Sequence, residues 1–391
     1  MSLVLSETAA FLQDQTQRFA REKTPTSHFR SVRDSENPEC FDREFWKQMA
    51  DQGLSGILIP EEFGGSNFGL SGIGVVLQEL GRTLTPSPLF ATGVIGASFL
   101  TKIGTDSQKQ KYLPEIAKGN LRLQAFGVTE PTSGSDTTSL KCNAIKKGDF
   151  YHINGQKIWT SRAEHSDLLL LLARTTPKEK VTKRTDGLSV FIVDLNEVPK
   201  NTITIKPIRT MMNHSTTEIF FDNLPVPKRN LIGEEGKGFK YILSGMNAER
   251  ILIAAECIGD AKWFINKASK YSSEREIFGR PIGKNQGIQF PIARSYSQMR
   301  AAELMLNEAT NLFDKGLNPG EEANLSKLLS ADAQWAAAEA CIQTFGGFGF
   351  AEEYDIERKY REARLYQVAP ISTNMILSYI AEHVLKMPRS Y

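Results

Sequence analysis

The stretch Phe150-Tyr151-His152-Ile153-Asn154-Gly155-Gln156-Lys157-Ile158-Trp159 lies where the residue pattern changes from helical to strand-like. Two short segments rich in aromatic and β-branched residues, 150–153 and 156–159, flank the Asn154-Gly155 pair. Asn-Gly between two such segments is a strong signal of a two-residue hairpin turn. The sequence therefore predicts a β-hairpin with Asn154-Gly155 as its turn.

More strands are predicted on the C-terminal side of this hairpin. Several segments are short, rich in branched or aromatic residues and separated by Pro, Gly and Asp, which is typical of strands. These segments are 168–174, 188–195, 203–208 and 217–222. Because the prolines of Leu224-Pro225-Val226-Pro227 cannot donate to a β-ladder, we expect the strands to end there. The pattern predicts an antiparallel β-domain.

Helical periodicity occupies both sides of this β-block. Leu5, Ala9, Leu12, Thr16 and Phe19 recur at steps of three and four, so they form one stripe on a helix. Further helices are predicted at 44–52, 72–84, 240–271, 286–315, 322–345 and 371–385. The predicted fold class is α+β: an N-terminal α-helical domain (1–122), a middle antiparallel β-domain (123–236) and a C-terminal domain like a four-helix bundle (237–391).

The composition of the 391 residues is that of an ordinary globular protein. The 47 Lys and Arg residues nearly balance the 45 Asp and Glu residues, so we predict no nucleic-acid partner. The longest aliphatic run, 168–173, is far shorter than the roughly 20 apolar residues of a membrane helix, so we predict no membrane span.

The four cysteines lie far apart, with no Cys-x-x-Cys pair, which favours reduced thiols over disulfides or a metal site. A cytoplasmic location is therefore predicted, or the mitochondrial matrix if an import peptide has been removed. The sequence also lacks His-Glu-x-x-His, Gly-x-Ser-x-Gly, Gly-x-Gly-x-x-Gly and a Walker loop. These absences argue against a zinc hydrolase, an α/β-hydrolase, a nicotinamide Rossmann enzyme and an NTPase.

Three local patterns suit a ligand. The small and hydroxylated residues of 127–136 let backbone N–H groups approach a bound group closely. Trp159 can cover a planar ring while hydroxyls nearby bond its edge. Arg275 suits a pyrophosphate if it lies near the glycine-rich helix stop at 346–349, because its guanidinium binds oxygens and the bare backbone lets them approach. From the residues alone, a surface loop, a core tryptophan and a solvated arginine explain the same patterns.

Five motifs in order give the chain a resemblance to one family. The motifs are Thr129-Glu130-Pro131, Gly134-Ser135-Asp136, Trp159 with Ser161, Glu274-Arg275-x-x-Phe278-Gly279 and Gln343-x-x-Gly346-Gly347-x-Gly349. The whole resembles the acyl-CoA dehydrogenase family of flavoproteins, over nearly all of the chain. The helical, strand-rich and again helical order agrees with that resemblance.

The resemblance implies FAD at the junction of the β-domain and the C-terminal helices, in a homotetramer built as a dimer of dimers. In the family, backbone groups matching 126–129 meet the flavin, the hydroxyl matching Ser161 bonds flavin N5, and Trp159 matches a tryptophan packed at the ring. Arg275 and the segment 343–347 match groups that reach FAD across a subunit interface. The implied cofactor contacts are Phe126, Val128, Thr129, Ser135, Trp159, Ser161, Arg275, Phe278, Gln286, Gln343, Gly346 and Gly347.

The resemblance also implies an acyl-CoA substrate. Ser135 matches a contact to cofactor phosphate or CoA, Arg250 matches an arginine on the CoA chain, and Asn247 stands where the family often has Asp. In the family reaction the α-hydrogen leaves as a proton and a β-hydrogen leaves as hydride to flavin N5. A 2-enoyl-CoA results, and the electrons pass to electron-transfer flavoprotein or a similar acceptor.

The position of the base departs from the commoner family pattern. Most members carry a Glu after an Arg-x-x-x-Tyr-Gln-like stretch, and here that Glu aligns with Pro370, with Ile371-Ser372 replacing the usual Gly-Thr. A minority, resembling isovaleryl- and long-chain acyl-CoA dehydrogenases, carry the base in a Glu-Arg pair on a helix. Glu249-Arg250 matches that pair, so Glu249 is the predicted catalytic base. A Glu that is only paired with Arg250 or solvated is the alternative.

Other functions remain compatible with these residues. Oxygen-using oxidases and monooxygenases share the scaffold and often have an altered base site, and an enoyl-CoA reductase would use the same residues in reverse. A non-catalytic binding or assembly subunit is the third class, supported by the loss of the usual base motif. The acyl chain length, and CoA as opposed to a carrier protein, are not encoded in any motif that we recognise.

Overall fold

A computed structural model of the chain describes residues 7–23, 25–33, 43–83, 92–211 and 215–389. Contacts within the chain define two compact units. Unit 1 consists of 1–34, 68–87 and 247–391, and unit 2 consists of 35–67 and 88–246. The predicted order of helices, then strands, then helices is confirmed.

The α-helices of the described residues are, in chain order, α1 (Glu7–Lys23), α2 (Thr26–Arg33), α3 (Arg43–Asp51), α4 (Gly69–Gly81), α5 (Thr92–Ile103), α6 (Asp106–Ala117), α7 (Gly238–Glu274), α8 (Gln286–Asp314), α9 (Gly320–Phe345), α10 (Ile356–Ala363) and α11 (Thr373–Tyr379). The strands are β1 (Leu123–Gly127), β2 (Asn143–Lys147), β3 (Phe150–Ser161), β4 (Leu168–Arg174), β5 (Leu188–Asp194), β6 (Ile203–Ile208), β7 (Thr216–Pro227), β8 (Leu231–Ile232), β9 (Glu276–Ile277) and β10 (Arg280–Pro281).

The stripe predicted on the first helix faces the interior of unit 1. Ala9, Leu12, Thr16 and Phe19 are all buried on α1, whereas Leu5 lies outside the described residues. Two glutamine amides of α1 donate to the buried carboxylate of Glu79 on α4. The period of the apolar residues thus decides which face of α1 packs against α4.

Unit 2 is built around one sheet with the strand order β6-β7-β3-β2-β4-β5-β8, and β1 pairs with β4. Most neighbouring strands are antiparallel, as predicted, but β4 runs parallel to both β1 and β2. Every residue of β4 and β5 is buried. Alternate residues along these two strands belong to two different apolar clusters, so the centre of the sheet is covered on both faces.

The predicted hairpin at Asn154-Gly155 is wrong. Strand β3 runs through that pair without turning, and the turn between β2 and β3 lies instead around Gly148, whose φ is 55°. Gly155 is needed for a different reason: a Cβ there would lie 2.7 Å from the Cα of Cys142, whose backbone passes close to β3. An Asn-Gly pair therefore marks close backbone approach and a register shift here, not a reversal.

The long strands end at the expected stop, Leu224-Pro225-Val226-Pro227, but the prolines themselves still belong to a strand. Strand β7 continues to Pro227 and pairs with β3 throughout, opposite Phe150 at its end. Pairing of β7 with β6 stops at Phe221, so the later part of β7 is an edge. Prolines are tolerated on an edge strand because their missing N–H can face the open side.

The long helices of unit 1 match their predicted segments closely. Helix α9 ends at Phe345 and is followed by Gly346, whose φ of 57° suits glycine, and α7 extends over 37 residues. Within the ranges that the structure describes, no helix is both long and apolar enough to cross a membrane.

Candidate active site

The segment after β1 forms a compact loop in unit 2. The backbone N–H groups of Glu130 and Ser133 each donate to the other residue's carbonyl at 3.1 Å, and the Ser133 hydroxyl donates to the Asp136 carbonyl. Gly134 and Ser135 lie exposed at its outer side. The loop therefore presents backbone and hydroxyl groups to the surface, as its composition predicted.

Trp159 sits on a bulge in β3. The register between β3 and β7 shifts between Lys157 and Thr160, and Trp159 has a φ of 61° with 57% of its surface exposed. A left-handed conformation costs a bulky residue roughly 1–2 kcal/mol and is retained mainly where function needs it. The core-tryptophan interpretation is therefore incorrect, because the indole is presented outward.

The bulge and the loop are joined directly. The Ile158 N–H donates to the Thr129 carbonyl at 2.9 Å, which brings the first and second predicted cofactor segments together. Phe126, Val128 and Ser161 are half-buried beside them in the chain. Within the described part of the chain, the Ser161 hydroxyl makes no hydrogen bond.

A buried ion pair beneath this loop was not predicted. Lys157 is completely buried, and its Nζ donates to Glu130 Oε1 at 2.8 Å and to the Val128 carbonyl at 3.0 Å. A signal was present in the sequence: Lys157 continues the alternation of the inward-facing Tyr151 and Ile153 along β3, so a charge occupies a core position.

Glu249 and Arg250 lie on α7 in unit 1. Desolvation by the surrounding protein raises the pKa of Glu249 to about 7, and the adjacent Arg250 charge opposes that shift. The residue keeps partial exposure, and among the described residues its carboxyl group has no hydrogen bond or ion pair. Such a carboxyl group can accept a proton near neutral pH.

A hydrogen bond to Asn247 orients the guanidinium group of Arg250. Its Nη1 donates to the Asn247 side-chain oxygen at 2.8 Å, and burial lowers the pKa of Arg250. Its Nε atom is buried and has no partner within the described ranges. Because a buried unpaired donor is costly, this atom suits a polar group supplied by a ligand.

Two further acids on α7 are paired. Tyr366 donates its hydroxyl to Glu256 at 3.0 Å, and Asp260 accepts from Lys359 at 2.7 Å and from Gln334 at 2.5 Å. Burial raises the pKa of both carboxyl groups. These acids belong to a buried hydrogen-bonded network, which distinguishes them from Glu249.

The segment that aligns with the usual base is held as a loop. Lys327, fully buried on α9, donates its Nζ to the Tyr366 carbonyl at 2.6 Å and to the Ile371 carbonyl at 2.8 Å. Pro370 lies between these two anchors, and Ser372 then caps α11. No acidic side chain occurs between Ala363 and Ala381, so this loop offers no base.

The remaining predicted cofactor residues lie on the surface of unit 1. Arg275 is exposed and stacks over the Phe348 ring at 5.7 Å, which brings it next to Gly346 and Gly347. Phe278 is fully exposed at the tip of the β9–β10 hairpin. Gln286 opens α8 and Gln343 lies in the last turn of α9, both exposed.

The chain matches the three domains of one family in order. Residues 6–120 match the acyl-CoA dehydrogenase N-terminal domain, 125–224 the middle domain and 236–385 the C-terminal domain. An acyl-CoA dehydrogenase of Bacillus subtilis (strain 168) is 36% identical over 341 residues, or 85% of this chain and 87% of the relative.

Two further relatives are similar over most of their length. An acryloyl-CoA reductase (NADH) of Anaerotignum propionicum is 33% identical over 349 residues, covering 88% of this chain and 87% of the relative. The structure of butyryl-CoA dehydrogenase from Megasphaera elsdenii is 27% identical with a TM-score of 0.90, covering 98% of this chain and all of that chain.

Proposed function

This chain belongs to the acyl-CoA dehydrogenase family, and on that premise we propose that it dehydrogenates an acyl-CoA thioester to the 2-enoyl-CoA with FAD and with Glu249 as base. The observation that carries the proposal is the environment of the Glu249 carboxyl group. Its carboxyl group has a pKa of about 7 and no hydrogen-bond partner among the described residues. The other acids considered on α7 are committed to a buried network.

The residues of unit 2 fit a flavin. The exposed Trp159 indole offers a flat apolar surface, and the Ser161 hydroxyl beyond it has no partner among the described residues. Thr129 lies in the loop that is joined to this bulge. FAD, when bound, accepts the hydride. The chain's part is to hold and orient the ring, for which a strained, fixed bulge is well suited.

The residues of unit 1 fit a thioester substrate. The unpartnered Nε of Arg250 supports binding of a polar group of the CoA arm, with Asn247 holding the guanidinium in place. Ser135, exposed on unit 2, is the further proposed contact to substrate. Glu249 then takes the α-proton onto a carboxylate oxygen. A base whose pKa is close to the working pH is both ionised and strong enough to accept it.

An enoyl-CoA reductase is the second candidate. The similarity to an acryloyl-CoA reductase supports it, and Glu249 would then return a proton to the α-carbon. The two candidate functions differ in where the flavin's electrons go. For the dehydrogenase we propose that they pass to electron-transfer flavoprotein or a similar acceptor.

The decisive experiment is an anaerobic titration of the purified flavoprotein with straight, branched and aromatic acyl-CoAs. We expect at least one acyl-CoA to bleach the visible flavin absorbance and to yield the enoyl-CoA. Bleaching by none of them, together with reoxidation of the reduced flavin by enoyl-CoA, would favour the reductase. Rapid peroxide formation on admitting oxygen would favour an oxidase.

Self-association is the next part of the proposal. Arg275 and the segment 343–347, which the resemblance assigns to a subunit interface, have several exposed apolar side chains near them in the chain. We call these five side chains the hairpin patch: Ile277, Phe278, Phe290, Phe348 and Phe350. Exposed aromatic side chains of this kind mark association surfaces. We propose that this patch joins subunits of a homotetramer arranged as a dimer of dimers.

We expect Phe278→Ser to shift the protein to a smaller oligomer, because the substitution removes the most exposed aromatic side chain of the hairpin patch. Analytical ultracentrifugation measures the change. Phe11→Ser, at an exposed phenylalanine on α1, is the matched control and should leave the mass unchanged. An unaltered mass for Phe278→Ser would remove the hairpin patch from the interface.

The domain limits 1–122, 123–236 and 237–391 remain part of the proposal and are supported by the three matched ranges. A cytoplasmic location is supported by the free, buried thiols of Cys142, Cys257 and Cys341, which suit a reducing compartment. Cys40 lies outside the described residues.

A further inference from the structure

We propose that Lys157, through its ion pair with Glu130, is a positioning residue that holds the Thr129 loop and the Trp159 bulge in one arrangement. The inference rests on the proposed function, because these two segments are the ones proposed to hold FAD. Lys157 lies on β3 just before the bulge, and its Nζ reaches both Glu130 and the Val128 carbonyl. One cation thus connects the strand to both sides of Thr129.

Glu130 extends this connection to the far end of the loop. Its Oε2 accepts from the Lys141 N–H at 2.6 Å, and its Oε1 accepts from the Cys142 N–H at 2.9 Å as well as from Lys157. The carboxylate therefore joins the beginning of the loop, its end and β3. The bond from the Ile158 N–H to the Thr129 carbonyl is a further connection between loop and bulge.

A second buried cation holds the same loop from β4. Arg174 donates through Nη2 to the Thr138 carbonyl at 2.7 Å and through Nε to the Leu140 carbonyl at 3.3 Å. Lys157 and Arg174 therefore anchor different halves of the loop to neighbouring parts of one sheet. The half that carries Thr129 depends on Lys157.

The burial of the pair explains why it controls position. Exposed ion pairs exchange their partners for water at little cost, whereas Lys157 and Glu130 are 0% and 5% exposed. Loss of either partner leaves an unpaired charge in the interior, so the loop and β3 must rearrange to bring water to that charge. Because the Trp159 conformation is strained, it persists only while its surroundings hold it.

The test compares Lys157→Met with wild type, using FAD added to apoprotein. We expect at least a tenfold increase in the FAD dissociation constant and an altered visible spectrum of the bound flavin. We also expect the buried thiol of Cys142, next to the pair, to become reactive toward a thiol reagent. The same measurement in a Cys142→Ala background shows whether the reactive thiol is that of Cys142. Lys228→Met, which breaks the exposed pair with Asp149, is the matched control and should change neither readout.

Two variants keep the test decisive. If Lys157→Met does not fold by circular dichroism, the neutral double variant Glu130→Gln/Lys157→Met takes its place, since it leaves no lone charge. A folded variant with lowered stability but an unchanged FAD dissociation constant and a protected Cys142 overturns the inference, because that result describes a structural pair only. If wild type itself binds no FAD, the proposed function fails, and the thiol reactivity alone then decides whether Lys157 positions the loop.

Discussion

Glu249→Gln is expected to slow reduction of bound FAD by acyl-CoA by about 10²- to 10⁴-fold, the usual contribution of a positioned general base. The amide has nearly the shape of the carboxyl group but cannot take the α-proton. Because Glu249 makes no hydrogen bond or ion pair within the described residues, its replacement should leave the fold and FAD binding intact. Stopped-flow measurement of flavin absorbance under anaerobic conditions gives the rate.

The matched control is Glu256→Gln, seven residues further along α7. Burial raises the pKa of Glu256 well above its usual value, which favours the uncharged form that glutamine resembles in shape and charge. The Tyr366 hydroxyl can still donate to the amide oxygen. We expect nearly wild-type rates from this variant. Flavin reduction at nearly the wild-type rate by Glu249→Gln would exclude Glu249 as the base, and a large loss of rate in Glu256→Gln would move the assignment along the helix.

The pH dependence of the wild-type rate follows from the same carboxyl group. Its pKa of about 7 lies above the usual value of 4.5, so the ionised form that accepts a proton predominates only above about pH 7. We expect the rate of flavin reduction to rise with pH through this value and to fall about tenfold per unit well below it. A rate without such a step between pH 5 and 9 (roughly the range over which a base of this pKa changes state) would contradict the assignment.

Lys359→Met is expected to lower the free energy of unfolding by about 3–5 kcal/mol, which is typical when one partner of a buried ion pair is removed. Lys359 is 3% exposed; its ammonium lies 2.7 Å from Asp260 and also donates to the Thr83 carbonyl. Without it, Asp260 keeps the amide of Gln334 but loses its cation. Urea denaturation followed by circular dichroism measures the change.

Arg361→Met on the same helix, α10, provides the comparison. Arg361 pairs with Glu357 at 2.8 Å in a partly exposed (i, i+4) arrangement, and such pairs contribute about 0.3–0.5 kcal/mol. We expect this variant to unfold at nearly the wild-type urea concentration. A loss below about 1 kcal/mol for Lys359→Met would contradict the expectation, because it would show that Asp260 is not left as an uncompensated buried charge.

Much of the fold could be predicted because it depends on local periodicity. The stripe at Ala9, Leu12 and Phe19 predicts which face of α1 is buried, and the branched and aliphatic residues of 168–174 predict the strand that is β4. The failures concern what a residue contacts. Gly155 is required by the approach of Cys142, not by a turn, and Pro225 is tolerated because β7 becomes an edge beyond Phe221.

The candidate site divides in the same way. The motifs identify the family and point to Trp159 and Glu249, because residue type and order along the chain carry that information. They do not show that Trp159 is presented on a strained bulge or that burial raises the pKa of Glu249 to about 7. Nor do the motifs reveal the buried lysines Lys327 and Lys359, since an isolated lysine is normally solvated, whereas the alternation along β3 does mark Lys157.

The order of helices and strands, the family and the absence of an acid near Pro370 can be read from the residues in order, because each depends only on which residues follow one another. Which charges are withdrawn from water, and which partners they meet there, depends on how the chain folds. Solvation and hydrogen bonding at a site depend on neighbours from distant parts of the chain: Lys327 meets the Tyr366 and Ile371 carbonyls, whereas Glu249 finds no partner in the described residues.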